Sequence, residues 1–251
     1  MQKYKLYDLS YPWGFGCPLW PYFPDIEIKR FHTHAKSGVL SQQITTFMHC
    51  TTHADSPAHV IEGEKFTDEI PLDSYYGTGV VVSIPKGRWE VITAKDLENA
   101  RPKIEKNDIV IINTGWHKYW GDNRTYFCYS PGLYEEAGHW FVEKGVKAVG
   151  VDNQALDHPL GTPIADHGTG PLVPDVIKDY KKEFGREAKE DFPKWEPCHR
   201  LLLSNGIMGW ENVGGDIDMV TGKRVTIMGF PWRWTKGDGS IVRLVAKLDE
   251  E

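Results

Sequence analysis

The sequence predicts an α/β fold, and three observations carry that prediction. Gly79-Val80-Val81-Val82-Ser83-Ile84 and Asp108-Ile109-Val110-Ile111-Ile112-Asn113 are β-branched runs bounded by turn formers, the pattern of strands buried on both faces. Between them Thr93 stands before Ala94-Lys95-Asp96-Leu97-Glu98, an N-cap with an acidic residue at the third helical position, and Pro102 limits that helix. A second helix–strand pair follows: Leu133 to Lys144 presents Ala137, Trp140 and Phe141 on one face, stops at Gly145, and gives way to a strand over Val146-Lys147-Ala148-Val149-Gly150-Val151. Asp152, Asn153 and Asp157 come next, at a strand's carboxyl end, where polar side chains of α/β sheets line the functional crevice.

The 251 residues can bury a substantial core, and with no repeat or low-complexity tract they are read as one domain spanning 1–251. Tyr180 to Glu196 is mostly charged and reads as a solvated insertion. A net charge of -6 provides no basic footprint for a polyanion, which argues against a nucleic-acid partner. Met1 to Asp8 lacks an apolar core of signal-peptide length and no stretch nears the ~18 apolar residues of a membrane span, so a cytoplasmic protein without a membrane partner is expected. Cys17, Cys50, Cys128 and Cys198 are scattered, which favours reduced thiols over a disulfide framework. Trp13, Phe15, Trp20, Tyr22 and Phe23 are interleaved with prolines and could form either a stiff aromatic wall over a pocket or a subunit contact.

The segment Met48 to His59 packs three imidazoles and a carboxylate into eleven residues, His49 to His53 to Asp55 to His59. An isolated histidine is usually a hydrogen-bonded core or surface group; four such side chains this close are better explained by a metal centre. His53 and Asp55 are two apart, so on an extended segment they share a face. Neutral imidazole and carboxylate suit zinc or manganese, and three protein ligands, His49, His53 and Asp55, leave room for water, the mark of a catalytic site. Pro57 keeps Ser56 out of helical geometry, so His59 projects from a stiff turn and is the candidate general acid or base, with a place as metal ligand or as donor to a ligand the alternative. Cys50 should face away from His49.

This stretch resembles the His-x-Gly-Thr-His-x-Asp-x-Pro-x-His signature of the cyclase family of metal-dependent hydrolases, which includes kynurenine formamidase and isatin hydrolase. Only Thr51 departs, standing where the signature has glycine, and a slightly different local turn is expected there. Asp108 to Trp116, Gly145 to Asp152, His199 to Leu203 and Asp238 to Arg243 are similar to family segments in the same order, so the resemblance covers nearly the whole chain. It implies a mixed central sheet flanked by helices, of the swivelling β/β/α kind, and homo-oligomers, dimers or tetramers. It also implies one or two ions of Zn2+ or Mn2+ per chain. In the binuclear form His49, His53 and Asp55 would hold the first metal, Asp55 and Glu211 would bridge, and His199, twelve residues before Glu211, would serve the second. His158 and His167 are weaker competitors in a Gly/Pro-rich stretch, and His32 and His34 read as surface or interface groups.

The chemistry that follows is hydrolysis of a small amide, formamide or cyclic amide, with His59 carrying a proton from water to the leaving nitrogen. The alternatives are lyase or lactonase chemistry on a small carbonyl compound, or a scaffold whose metal only braces the fold.

Overall fold

The computed structural model describes residues 3–121 and 123–249; Met1 and Gln2 of the N-terminal reading lie outside them. Nine strands form one sheet in the order Tyr4–Asp8, Val245–Asp249, Lys223–Met228, Tyr76–Ser83, Ile109–Asn113, Ala148–Val151, Met208–Glu211, His53–Asp55 and Gly239–Ile241. The four from Tyr76–Ser83 to Met208–Glu211 pair in parallel. The outer strands on both sides are antiparallel, so the sheet is mixed.

The β-branched runs are central because both of their faces are apolar. Val80, Val82, Val110, Ile112, Val149 and Val151 pack on one face with Leu97, Ala137, Phe141 and Leu202 from the helices. The alternate residues Val81, Ile109, Ile111 and Ala148 meet Trp210, Ile227 and Leu244 on the other, the period of two expected of strands. Each fully buried aliphatic contributes roughly 1.5–3 kcal/mol. The helix Ala94–Asn99 starts on Thr93, whose side chain accepts the Asp96 backbone N–H while Asp96 reaches back. Gly145 closes the helix Glu135–Lys144 at φ 70°, a left-handed conformation that favours glycine.

Two readings are corrected. The second helix begins at Glu135, not Leu133, because the Leu133 N–H and C=O are bonded to Leu156 and His158 and the residue lies in a short strand, Gly132–Leu133. Residues 180 to 196 are not simply a solvated insertion. Tyr180, Ala188 and Phe192 pack into a third core cluster with Trp89, Trp116 and Tyr126. The charges that dominate this stretch lie on the outer faces of two helices, Pro174–Phe184 and Ala188–Asp191, and hide the sparse apolar stripe beneath. All four cysteines are free. Among the described residues no helix is long and apolar enough to cross a membrane.

Candidate active site

Three elements bring the site together. The short strand His53–Asp55 lies between Met208–Glu211 and Gly239–Ile241, and its register sets His53 directly opposite Glu211. Side chains opposite each other in a ladder share a face, so residues 158 positions apart in sequence become neighbours. His199 arrives from the first turn of the helix Pro197–Ser204, whose Cys198 and His199 N–H groups both donate to the Asp157 carboxylate.

Four of the sequence candidates thus converge. His53 Nε2 lies 3.4 Å from Asp55 Oδ1 and 3.3 Å from Glu211 Oε2. His199 Nε2 lies 3.5 Å from Asp55 Oδ2 and 2.8 Å from Glu211 Oε1. The far nitrogens are tethered: His53 Nδ1 donates to the Thr51 carbonyl at 2.8 Å and His199 Nδ1 to Asp157 at 2.7 Å. Each ring therefore turns its Nε2 inward, the arrangement in which a second partner orients a metal-binding imidazole. His53 Nε2 and Asp55 Oδ2 are buried yet have no hydrogen-bond partner among the described residues. Donors bound at 2.0–2.2 Å around a tetrahedral cation sit about 3.4 Å apart. That is the spacing at which three of these contacts stand, too long for good hydrogen bonds. The donor set fits a divalent cation.

Without a cation the cluster is held by opposed charges. Burial pushes His53 and His199 down, but the carboxylates beside them outweigh it and hold both well above the usual imidazole range. Burial raises Asp55, yet His53, His199 and His49 keep it well below the usual carboxylate range. Glu211 is drawn down to about 2, against burial and the Asp55 charge, by its bonds to His199 and His53.

His49 stands at the edge of this group. Its Nδ1 is 2.8 Å from Asp55 Oδ1 and its Nε2 is 3.0 Å from Asp238 Oδ2. The His59 ring, on the 3-10 turn Pro57–His59, stacks on His49 at 3.9 Å. Burial, then the His49 charge, pushes His59 down to about 4, so it is neutral at physiological pH. His49, Asp55 and His59 form one possible ligand group and His53, Asp55 and Glu211 another, with Asp55 common to both.

Thr51, in place of the signature glycine, takes a left-handed φ of 52°. That conformation is costly for a β-branched residue. It places the carbonyl that orients His53. Cys50 is buried, donating its thiol to Phe47 O. His158 and His167 are committed elsewhere: their Nε2 atoms bond the carbonyls of Trp89 and Phe192. His32 and His34 are exposed on the hairpin that joins Glu27–His32 to Ser41–Thr45.

A cavity of about 610 Å³ opens on the cluster, lined by His49, His53, His59, His199 and Glu211 and walled by Trp20, Phe23 and Phe127. Trp20 and Phe23 thus belong to the pocket, whereas Phe15 and Tyr22 point to solvent. Sequence reasoning missed Asp238, Gln154, Asn212 and Glu196. Asp238 had a signal, since Asp238-Gly239 opens a family-like segment; Gln154 had none.

Fold and site together define an α/β protein with a candidate divalent-metal centre in a partly apolar cavity. The Cyclase family model matches residues 7–158, and the chain belongs to that family. It is 26% identical over 249 residues to a kynurenine formamidase of Bacillus cereus (strain ATCC 10987 / NRS 248), covering 98% of this chain and 99% of the relative. Its fold is that of an isatin hydrolase solved with the product analogue thioisatinate, at TM-score 0.77 and 19% identity over 98% of this chain and 93% of the other. Isatin hydrolase A from Labrenzia aggregata, bound to benzyl benzoate, has the same fold at TM-score 0.76 and 20% identity, over 98% and 94% of the two chains.

Proposed function

We propose that this protein is a metal-dependent hydrolase that cleaves the C–N bond of a small amide, formamide or cyclic amide. The observation that carries the reading is the convergence of His53, Asp55, His199 and Glu211 with unpaired, buried donor atoms at cation-sharing distances. A formamidase among the relatives and isatin hydrolases among the fold neighbours support the amide. Those four residues, with His49 on the far side of Asp55, are the proposed ligands. The mixed nitrogen and oxygen set suits zinc or manganese, and the shared Asp55 accommodates one ion or two. When bound, such an ion polarises a carbonyl and lowers the pKa of water.

The chain's own residues supply the rest. Trp20, Phe23 and Phe127 offer flat apolar walls to the body of the substrate and help to exclude water. His59, facing the cavity, takes a proton from the attacking water at one ring nitrogen and returns it to the leaving nitrogen. Asp238, 3.0 Å from His49 and 3.9 Å from His59, steadies the stacked pair of rings.

The four free thiols fit a reducing, cytoplasmic setting. Homo-oligomer formation is supported by the exposed Phe31, Leu40 and Ile44 around a two-stranded hairpin, a unit marginal by itself.

The deciding experiment compares His59→Ala with His53→Ala by metal analysis and by hydrolysis of formanilide. His59→Ala is expected to keep its metal and lose roughly 10²–10⁴-fold in kcat. His53→Ala is expected to lose the metal itself. Equal metal loss in the two variants would sink the role given to His59, and chelator-resistant hydrolysis would sink the metal-dependent reading.

A further inference from the structure

The segment from Asp152 to Asp157 leaves the carboxyl end of the strand Ala148–Val151 and supports the site along its length. Leu156 N donates to Glu211 Oε1 at 2.7 Å, and Asp157 holds the His199 ring. Its polar side chains are almost all satisfied. Asp152 accepts from Thr114 N and Oγ1 and from Gly115 N. Asn153 donates to the Pro131 carbonyl at 2.6 Å.

Gln154 is the exception. It is 2% exposed and lines the cavity, and neither its amide nitrogen nor its amide oxygen has a hydrogen-bond partner among the described residues. A buried amide with both functions unpaired is destabilising, and such groups are rare in folded proteins. An apolar side chain of the same length would fill this space without that cost. The hydroxyl of Thr51, another residue that lines the cavity, is buried without a hydrogen-bond partner among the described residues as well.

We infer that Gln154 is a specificity-determining residue that selects substrates carrying an N–H beside a carbonyl over their ester and lactone counterparts. The inference rests on the hydrolase reading above and names the edge of the substrate that the site recognises. A carboxamide is complementary to another amide: Gln154 Oε1 accepts the substrate N–H while Nε2 donates to the substrate carbonyl. A lactam, a cyclic imide or a suitably turned formamide presents that donor and acceptor side by side. An ester or lactone puts lone pairs where the N–H stood, which leaves Oε1 buried and unpaired in the complex. Sites built around a substrate N–H or O–H discriminate strongly against analogues that lack it, because the protein's own group is then stranded.

The test uses the metal-loaded protein, with metal content measured for each variant, and a matched pair of substrates, formanilide and phenyl formate. Gln154→Met keeps the volume and removes both polar functions. It is expected to lower the formanilide-to-phenyl formate ratio of kcat/KM by roughly 10- to 100-fold. It should also raise the melting temperature, since two stranded groups disappear. Gln154→Leu, which also removes both polar functions, is the second variant should the first fail to fold, with the same fall in the ratio expected. A fall of equal size on both substrates overturns the inference, as it would mean that Gln154 only shapes the pocket or meets solvent.

A binding arm separates this result from the fate of the hydrolase reading. In calorimetry 2-oxindole should bind the wild-type protein more tightly than N-methyl-2-oxindole or the lactone 2-coumaranone, and Gln154→Met should level the three. Wild-type protein that hydrolyses neither formanilide nor phenyl formate refutes the proposed reaction, while the ranking of these three compounds still decides Gln154. No preference for 2-oxindole in the wild type overturns the inference.

Discussion

His53 and His199 at the candidate metal centre differ instructively from His158 and His167 in the loop after the strand Ala148–Val151. All four are buried histidines in the same small protein. In the first pair Nδ1 is tied to Thr51 O or Asp157, and Nε2 is turned toward Asp55 and Glu211. In the second pair Nε2 ends on a backbone carbonyl, and the His158 ring lies flat on Phe192 at 4.0 Å. The difference lies not in burial but in what burial leaves unfinished. An imidazole aimed at carboxylates in a buried cluster keeps a nitrogen that a cation could take up, the role proposed for this pair, while one capped by a carbonyl is part of the core.

The sharpest way to break this comparison is to remove one member of each pair. His53→Ala is expected to abolish stoichiometric zinc or manganese binding and to lower kcat/KM on formanilide by at least about 10³-fold. His167→Gln should retain the metal, as elemental analysis of the purified proteins would show; comparable metal loss in both variants would erase the distinction. A smaller effect is expected from Asp157→Asn, which weakens the acceptor that orients His199. Metal affinity should fall by roughly 10–100-fold in a chelator competition.

His158 sharpens the comparison through pH. Burial pushes its pKa down to about 3, so the folded protein keeps it neutral while the unfolded chain takes up a proton below about 6.5. Its contribution to stability is therefore complete above pH 6.5 and is lost as the pH falls toward 3, at about 1.4 kcal/mol per unit. Urea unfolding of wild type and His158→Gln at pH 7 and pH 5.5 should show the wild type losing more stability by about one proton's worth; parallel slopes would contradict the buried neutral ring. The smallest effect belongs to Thr51→Gly. Relief of the positive φ and removal of an unpaired hydroxyl should stabilise the fold by about 0.5–1 kcal/mol with the metal retained.

Much of this was legible in the chain. The valine and isoleucine runs announced central strands, Thr93 caps its helix as its position predicts, and the crowding of His49, His53, Asp55 and His59 marked the segment on which the candidate site is built. The helix over Pro174–Phe184 and the aromatic core behind it were not legible, because surface charges outnumber the few residues that it buries. Gln154 was hidden for another reason. A single amide has no period and no motif, and its meaning depends on what stands within 3–4 Å of it.

Local chemistry by itself determined the alternation of strands and helices, the caps, and which short segment could bind a cation, since period, propensity and spacing act between near neighbours. Only the tertiary structure decided that Glu211 faces His53 across a strand pair, that Asp157 aims His199, and that Gln154 is buried without a partner. Those facts follow from sheet register and close packing, which couple residues far apart in the chain and leave no trace in any one stretch of it.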